Sequence, residues 1–162
     1  MTLVELVRLF AEPLDVAVLV TDCDLDHPGP TILYANPAFS QMSGYASSDV
    51  VGRSPRLLQR EGTNKQVTRL LTRTLRTEKR FHGVLENYRK GGEAYLCEID
   101  VRAMCHMDGL PLGFIAFERE VVRRRGRPSR DGASRYRPLV GLDLQIVPDK
   151  EQPALFARHA EN

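Results

Sequence analysis

FHGVLENYRKGGEAYLCEIDV, residues 81–101, consists of two alternating runs around a glycine pair. Phe81, Gly83, Leu85 and Asn87 share one side of the first run, and Tyr95, Cys97, Ile99 and Val101 form the apolar side of the second. A two-residue period on both flanks of "RKGGE" predicts a β-hairpin, with Leu96, Glu98, Asp100 and Arg102 turned toward solvent. "LGFIAFERE", residues 112–120, follows the turn "DGL" as a third antiparallel strand. Phe114, Ala116 and Glu118 alternate there with Ile115, Phe117 and Arg119, and both sides are apolar near the middle, so periodicity leaves its inward side open.

Upstream, "DVAVLVTD" (15–22) and "TILYAN" (31–36) are two more strand-like runs, separated by the acidic, Pro/Gly-bearing "CDLDHPGP". Asn36 before Pro37 has the form of an N-cap with proline at N1, which makes "PAFSQMSGY" a short helix closed by Gly44. "SSDVVG" is a second short turn ending on glycine. Thr63 and Gln66 have capping-box spacing ahead of Val67, Leu70, Leu71 and Leu75, predicting a helix over 64–77. Leu3, Leu6, Val7 and Phe10 form the stripe of a short helix ending before Pro13, expected to lie on the outer sheet face or on a second protomer. The fold class is α+β: a five-stranded antiparallel sheet with short helices over one face. Phe81, Leu85, Ile99 and Val101 are expected in one core with Leu70 or Leu71.

At 162 residues and 42% apolar, the chain suits one domain and a tail. The expected division is an N-terminal amphipathic helix (1–14), the domain (15–121), a basic Arg-rich linker (122–138) and a C-terminal extension (139–162). No apolar run approaches the ~18 residues of a bilayer span, and the acidic N-terminal stretch does not suit a secretory leader, so the chain reads as cytoplasmic, without a membrane partner. Cys23, Cys97 and Cys105, like the four histidines, lack metal-ligand or disulfide spacing. There is no Gly-rich phosphate loop and no nucleophile–base spacing, so the expectation is a non-enzyme. Residues 121–162 hold nine Lys/Arg against five Asp/Glu, +4 of the chain's +2, and leave residues 1–120 at −2.

Two polar residues, Asn87 and Glu118, fall on otherwise apolar sides. A buried amide or carboxyl without a partner costs about 1–3 kcal/mol, so each either sits at a wet strand end or meets a polar ligand.

"ILYANPAFSQMSGY", "VVGRSPRLLQREGT", the 81–101 stretch and "GFIAFERE" together, over residues 15 to 120, resemble a PAS domain of the flavin-binding group, LOV-like and NifL-like. The light-sensing LOV branch reads G-R-N-C-R-F-L-Q where this chain has GRSPRLLQ, so the photoadduct cysteine is replaced by Pro55. The NifL-like, FAD-binding redox branch has proline there, and its aromatic, glycine and asparagine correspond to Phe81, Gly83 and Asn87. The resemblance implies bound FAD or FMN, with Arg56 on the ribityl phosphate, Leu58 and Gln59 beside the ring, and Asn87 on its pyrimidine edge. Cys97 stands where LOV proteins often present a second asparagine, and Glu118 where they present a glutamine near N5. It also implies a sensor of redox state or light, signalling through a homodimer or partner protein; a cofactor-free dimerisation module is the alternative.

A different class rests on "RRRGRPSR", residues 123–130. Arg125, Gly126, Arg127 and Pro128 resemble the R-G-R-P core of an AT-hook, which implies a DNA-associated regulator with Arg125 and Arg127 as nucleic-acid contacts. The bland alternative is a solvated linker.

Overall fold

The computed structural model describes residues 1–126 and 135–139. Strands β1 (Ala17–Thr21), β2 (Ile32–Ala35), β3 (Arg80–Tyr88), β4 (Ala94–Cys105) and β5 (Pro111–Arg123) form the expected antiparallel sheet in the order β2-β1-β5-β4-β3. The 81–101 hairpin pairs as its alternation demands, with Phe81 opposite Val101, Leu85 opposite Cys97 and Asn87 opposite Tyr95. A sixth strand, β6 (Tyr136–Pro138), pairs with β5 inside the stretch expected to be a linker. It fits there because β1 begins only at Ala17, opposite Glu118, which leaves the same edge of β5 open from Arg119 onward. Arg127, and all but Leu139 of the C-terminal extension, lie outside the described residues.

Over the inner face lie α2 (Pro37–Ser43), α3 (Ser47–Val50), a 3-10 turn (Pro55–Leu58) and α4 (Lys65–Glu78). Phe39, Val50, Leu58 and Leu75 bury there against Leu19, Phe81, Leu85, Ile99, Val101 and Phe114. Leu71 joins them while Leu70 stays exposed, so α4 turns its Leu71–Leu75 side inward. The open side of β5 is settled: Phe114, Ala116 and Glu118 point in, and Ile115 and Phe117 point out. The α4 cap is Asn64, whose Oδ1 accepts from the Gln66 and Val67 amides. Thr63 instead ties the helix entry to β3, its hydroxyl donating to the Glu86 carbonyl at 2.7 Å.

On the outer face lies α1 (Leu3–Ala11), opened by a Thr2/Glu5 capping box. Its buried stripe is Val7 and Ala11 with Leu3 and Val4 partly covered, packed on Val16, Val18, Val20 and Tyr34. Leu6 and Phe10 of the expected stripe are exposed, because the helix turns its Val7 and Ala11 side to the sheet instead.

Asn36 fastens the layers together. Fully buried, it accepts from the Val18 amide (2.8 Å) and the Phe39 amide (3.0 Å), and donates to the carbonyls of Ala11 and Val16 (both 2.9 Å). One side chain thus caps α2, closes α1 and anchors β1.

The outward residues Glu98 and Asp100, expected in solvent, are buried. Cross-strand register places a cation beside each. Glu98 contacts His82 at 3.0 Å and accepts from Arg119 at 2.6 Å, while Asp100 accepts from Arg102 at 3.2 and 3.3 Å and faces Arg80 at 3.8 Å. The long arginine stems and the cross-strand neighbour Phe117 cover the carboxylates. Burial alone raises the Glu98 pKa, but the bonds from His82 and Arg119 hold it below its ordinary value.

Gly113 lies where β5 begins to cross β1, and a Cβ there would stand 2.3 Å from the Thr21 carbonyl oxygen. Backbone cannot step aside as a side chain can. Gly113→Ala is expected to cost about 2 kcal/mol, measured as a lower denaturant midpoint.

Candidate functional site

A cavity of about 100 Å³ lies between the inner sheet face, α4 and the 3-10 turn. The local sequence builds its rim. Ser54 caps the turn by accepting from the Arg56 amide at 3.3 Å, Pro55 presets its first dihedral, and Leu58 is drawn into the core. Pro55, Arg56, Leu58 and Gln59 therefore all line the opening. Arg56 donates Nε–H to the Gly29 carbonyl at 2.9 Å and keeps its terminal nitrogens without a protein partner among the described residues.

The sheet contributes the polar end. Asn87 and Glu118 both line the cavity and are 3% and 6% exposed, so the wet-strand-end alternative fails for each. Oδ1 of Asn87 has no hydrogen-bond partner among the described residues. Glu118 lies between Ile99 and Ala17 in the cross-strand row, and burial pushes its carboxyl up to about 7 despite a hydrogen bond with Cys97. Near neutral pH this group is able to donate as well as accept. It also forms part of the wall of a second, outer cleft of about 340 Å³, lined by Ala17, Gln41, Met42 and Arg89 among others.

Two of the seven expected contacts stand back from the cavity wall. The Phe81 ring folds over its own strand, so close to Gly83 that a Cβ there would lie 2.7 Å from Cζ. Cys97 lies behind Glu118, its Sγ 3.7 Å from Oε2, and burial followed by the Glu118 charge pushes its thiol well up. No cysteine lines the cavity among the described residues; Cys23 and Cys105 are exposed elsewhere.

Arg89 is an organising residue that sequence reasoning missed, since a charged residue in a hairpin turn carries no inward signal. Its guanidinium donates to both Glu120 oxygens at 2.8 Å, to Glu93 at 3.1 Å and to the Met42 carbonyl, and lies 4.5 Å over the Tyr95 ring. It locks α2, the hairpin and β5 together beside the outer cleft. The Tyr95 hydroxyl is buried without a well-formed hydrogen bond, and burial raises its pKa although the nearby Asn87 amide partly offsets this. Among the described residues no group of three His, Cys, Asp or Glu side chains is placed to hold a metal.

The family model described as "PAS domain" matches residues 15–122. A nitrogen fixation regulatory protein of Klebsiella oxytoca is 30% identical over 110 residues, 68% of this chain and 21% of its own length. Phototropin-1A of Oryza sativa is 34% identical over 100 residues, 62% of this chain and 11% of its own. The chain thus spans about a fifth or less of these curated relatives. Among solved structures, the LOV domain of the Erythrobacter litoralis EL346 blue-light activated histidine kinase superposes with a TM-score of 0.61 at 27% identity, covering 66% of this chain and 96% of that one.

Proposed function

The chain belongs to the PAS domain family, and from that premise we propose that it is a non-enzymatic, cytoplasmic sensory module that binds a flavin, FAD or FMN, in the inner cavity and reports its state to a second copy or a partner protein. The carrying observation is the orphaned Asn87 oxygen on the wall of the cavity that the Glu118 carboxyl also lines: among the described residues the amide oxygen has no partner, and the carboxyl has only the weak bond from Cys97. A ring edge with an N–H donor beside a carbonyl or imine acceptor satisfies both. The apolar faces of Leu58, Leu71, Leu85 and Val101 suit a flat ring, and the free end of Arg56 suits a phosphate at the mouth. The cavity is smaller than the about 300–1,000 Å³ of typical ligand sites, so a three-ring ligand would require the wall to open around it.

A flavin bound there supplies blue absorbance and one- or two-electron redox chemistry. The residues position it and manage a proton. Asn87 orients the ring, Arg56 holds the phosphate, and Glu118 takes up or releases a proton at its carboxyl oxygen, exchanging with solvent through the outer cleft. With Pro55 at the rim and no thiol on the wall, the reading is redox sensing or electron-transfer photochemistry without a bond to cysteine. Signalling through a homodimer has support from Leu6, Leu9 and Phe10, which α1 leaves exposed on one side. The related regulator of nitrogen fixation and the blue-light kinase fit a sensory role for this domain.

The purified protein is expected to be yellow, with a flavin released on denaturation and identified by mass. Asn87→Leu should cut flavin occupancy at least about tenfold, the worth of one good hydrogen bond, while leaving the ligand-free protein at least as stable because the orphaned oxygen is gone. A colourless protein that takes up neither flavin would favour the second reading, a cofactor-free dimerisation module, for which the small cavity speaks.

A further inference from the structure

The β5–β6 ribbon carries charge that the sensory reading leaves unused. β4 accompanies β5 only as far as Val121, opposite Leu96, and β1 only as far as Glu118. From Val122 onward β5 and β6 therefore run as a two-stranded ribbon among the described residues. Val122 pairs with Arg137 and Arg123 with Tyr136, and the ladder continues through the Arg124 amide donating to the Arg135 carbonyl at 2.8 Å. This register stands Arg124 opposite Arg135, on the side that Val122 and Arg137 share, with Arg123 on the other and Arg125 in the bend past the end of β5. Residues 121–126 and 135–139 contain five arginines, all exposed, and no carboxylate. None of the five forms an ion pair among the described residues. Like charges directly opposite destabilise a sheet, and a lone two-stranded ribbon has little stability to spare.

We propose that this ribbon is a docking surface for double-stranded DNA, whose phosphates supply the missing counter-charge. Three features select that partner. Every cation is arginine, the side chain whose planar fork suits phosphate oxygens. The cations face both ways, as the two phosphate walls of a groove require, whereas an acidic protein patch calls for one charged face. A two-stranded ribbon also fits the major groove of B-form DNA but not the deep, narrow one of an RNA helix. The surface is independent of the cavity, so it stands or falls apart from the flavin reading.

The test is fluorescence anisotropy of a short mixed-sequence DNA duplex titrated with the full chain at several KCl concentrations. Binding should weaken with salt with a log–log slope of about −4.5 if each of the five arginines meets a phosphate, about −0.9 apiece. Arg124→Ser combined with Arg135→Ser should make the slope shallower by about 2 and weaken binding at least about tenfold at low salt, with circular dichroism unchanged and the melting temperature no lower, since an opposed like-charged pair is removed. The proposal is overturned by absence of salt-dependent binding, or by an unchanged slope in the double variant. Tighter binding to an RNA duplex, or to polyglutamate of matched charge, overturns it as well and points to RNA or an acidic protein instead.

Discussion

Asn36→Ala is expected to remove about 4–5 kcal/mol of folding stability, enough to unfold a domain of ordinary stability. The substitution deletes four hydrogen bonds at a site with no solvent exposure: two accepted from the Val18 and Phe39 amides and two donated to the Ala11 and Val16 carbonyls. The Val18 and Phe39 amides and the Val16 carbonyl each lose a buried partner at a cost of about 1–3 kcal/mol, partly recovered where water or a small backbone shift reaches them, while the Ala11 carbonyl keeps the Leu14 amide at 3.2 Å. Asn36→Asp separates size from chemistry. It keeps the two accepted bonds but sets a carboxylate oxygen against two carbonyls, so the aspartate pKa rises in the folded state and the variant should be more stable at acid than at neutral pH. Denaturant midpoints measured across pH check both variants. A loss near 1 kcal/mol for Asn36→Ala would mean that α1 is not held through this side chain.

Glu118→Gln should change how stability depends on pH. Burial raises the folded pKa from the ordinary 4.5 to about 7, so the folded state holds a proton that the unfolded chain has released between those values. Unfolding free energy therefore falls as pH rises through that window and levels off above about 7, by about 3 kcal/mol if the whole shift is expressed. Glutamine has no proton to lose there. The variant should match wild type below pH 4.5 and exceed it progressively up to about 7, and the difference between the two curves cancels the other titrating groups. A difference independent of pH would show that water reaches the carboxyl as freely as it reaches a surface group. Because Glu118 faces the outer cleft as well as the cavity, the measurement is made on the ligand-free protein and needs no flavin.

The strands that alternate cleanly were legible. Residues 81–101 announce both their hairpin and their inward side, and Asn87 stands out because an amide interrupts an apolar row. Glu118 was harder, since Phe114, Ala116 and Glu118 compete with Ile115, Phe117 and Arg119 for the inward side. Only the row linking Ala17, Glu118 and Ile99 decides it. Asp100 and Glu98 misled because a polar residue on the outward side of a strand implies water; Arg102 lies two residues from Asp100 on the same strand, but Arg80, His82 and Arg119 arrive from other strands in a register that local sequence does not carry. Asn64 rather than Thr63 capped α4 for a related reason: both suit the position, and the Glu86 carbonyl claimed the threonine. At the cavity, the motif around Pro55 located Arg56, Leu58 and Gln59 on the wall, whereas Phe81 and Cys97 share the inward parity of their strands without reaching the space. β6 is too short to signal itself, and it forms because an edge of β5 is vacant.

The residue that holds the layers together is also shielded from ageing. Asparagine in proteins converts slowly to aspartate when the backbone nitrogen of the following residue attacks the side-chain amide and closes a succinimide ring. Residue 37 is proline, whose nitrogen has no hydrogen to surrender, so the usual route is closed at Asn36. Its amide nitrogen is moreover occupied in bonds to Ala11 and Val16. The proline that begins α2 thus does a second service, keeping intact over the protein's lifetime an amide that ties α1 to the sheet.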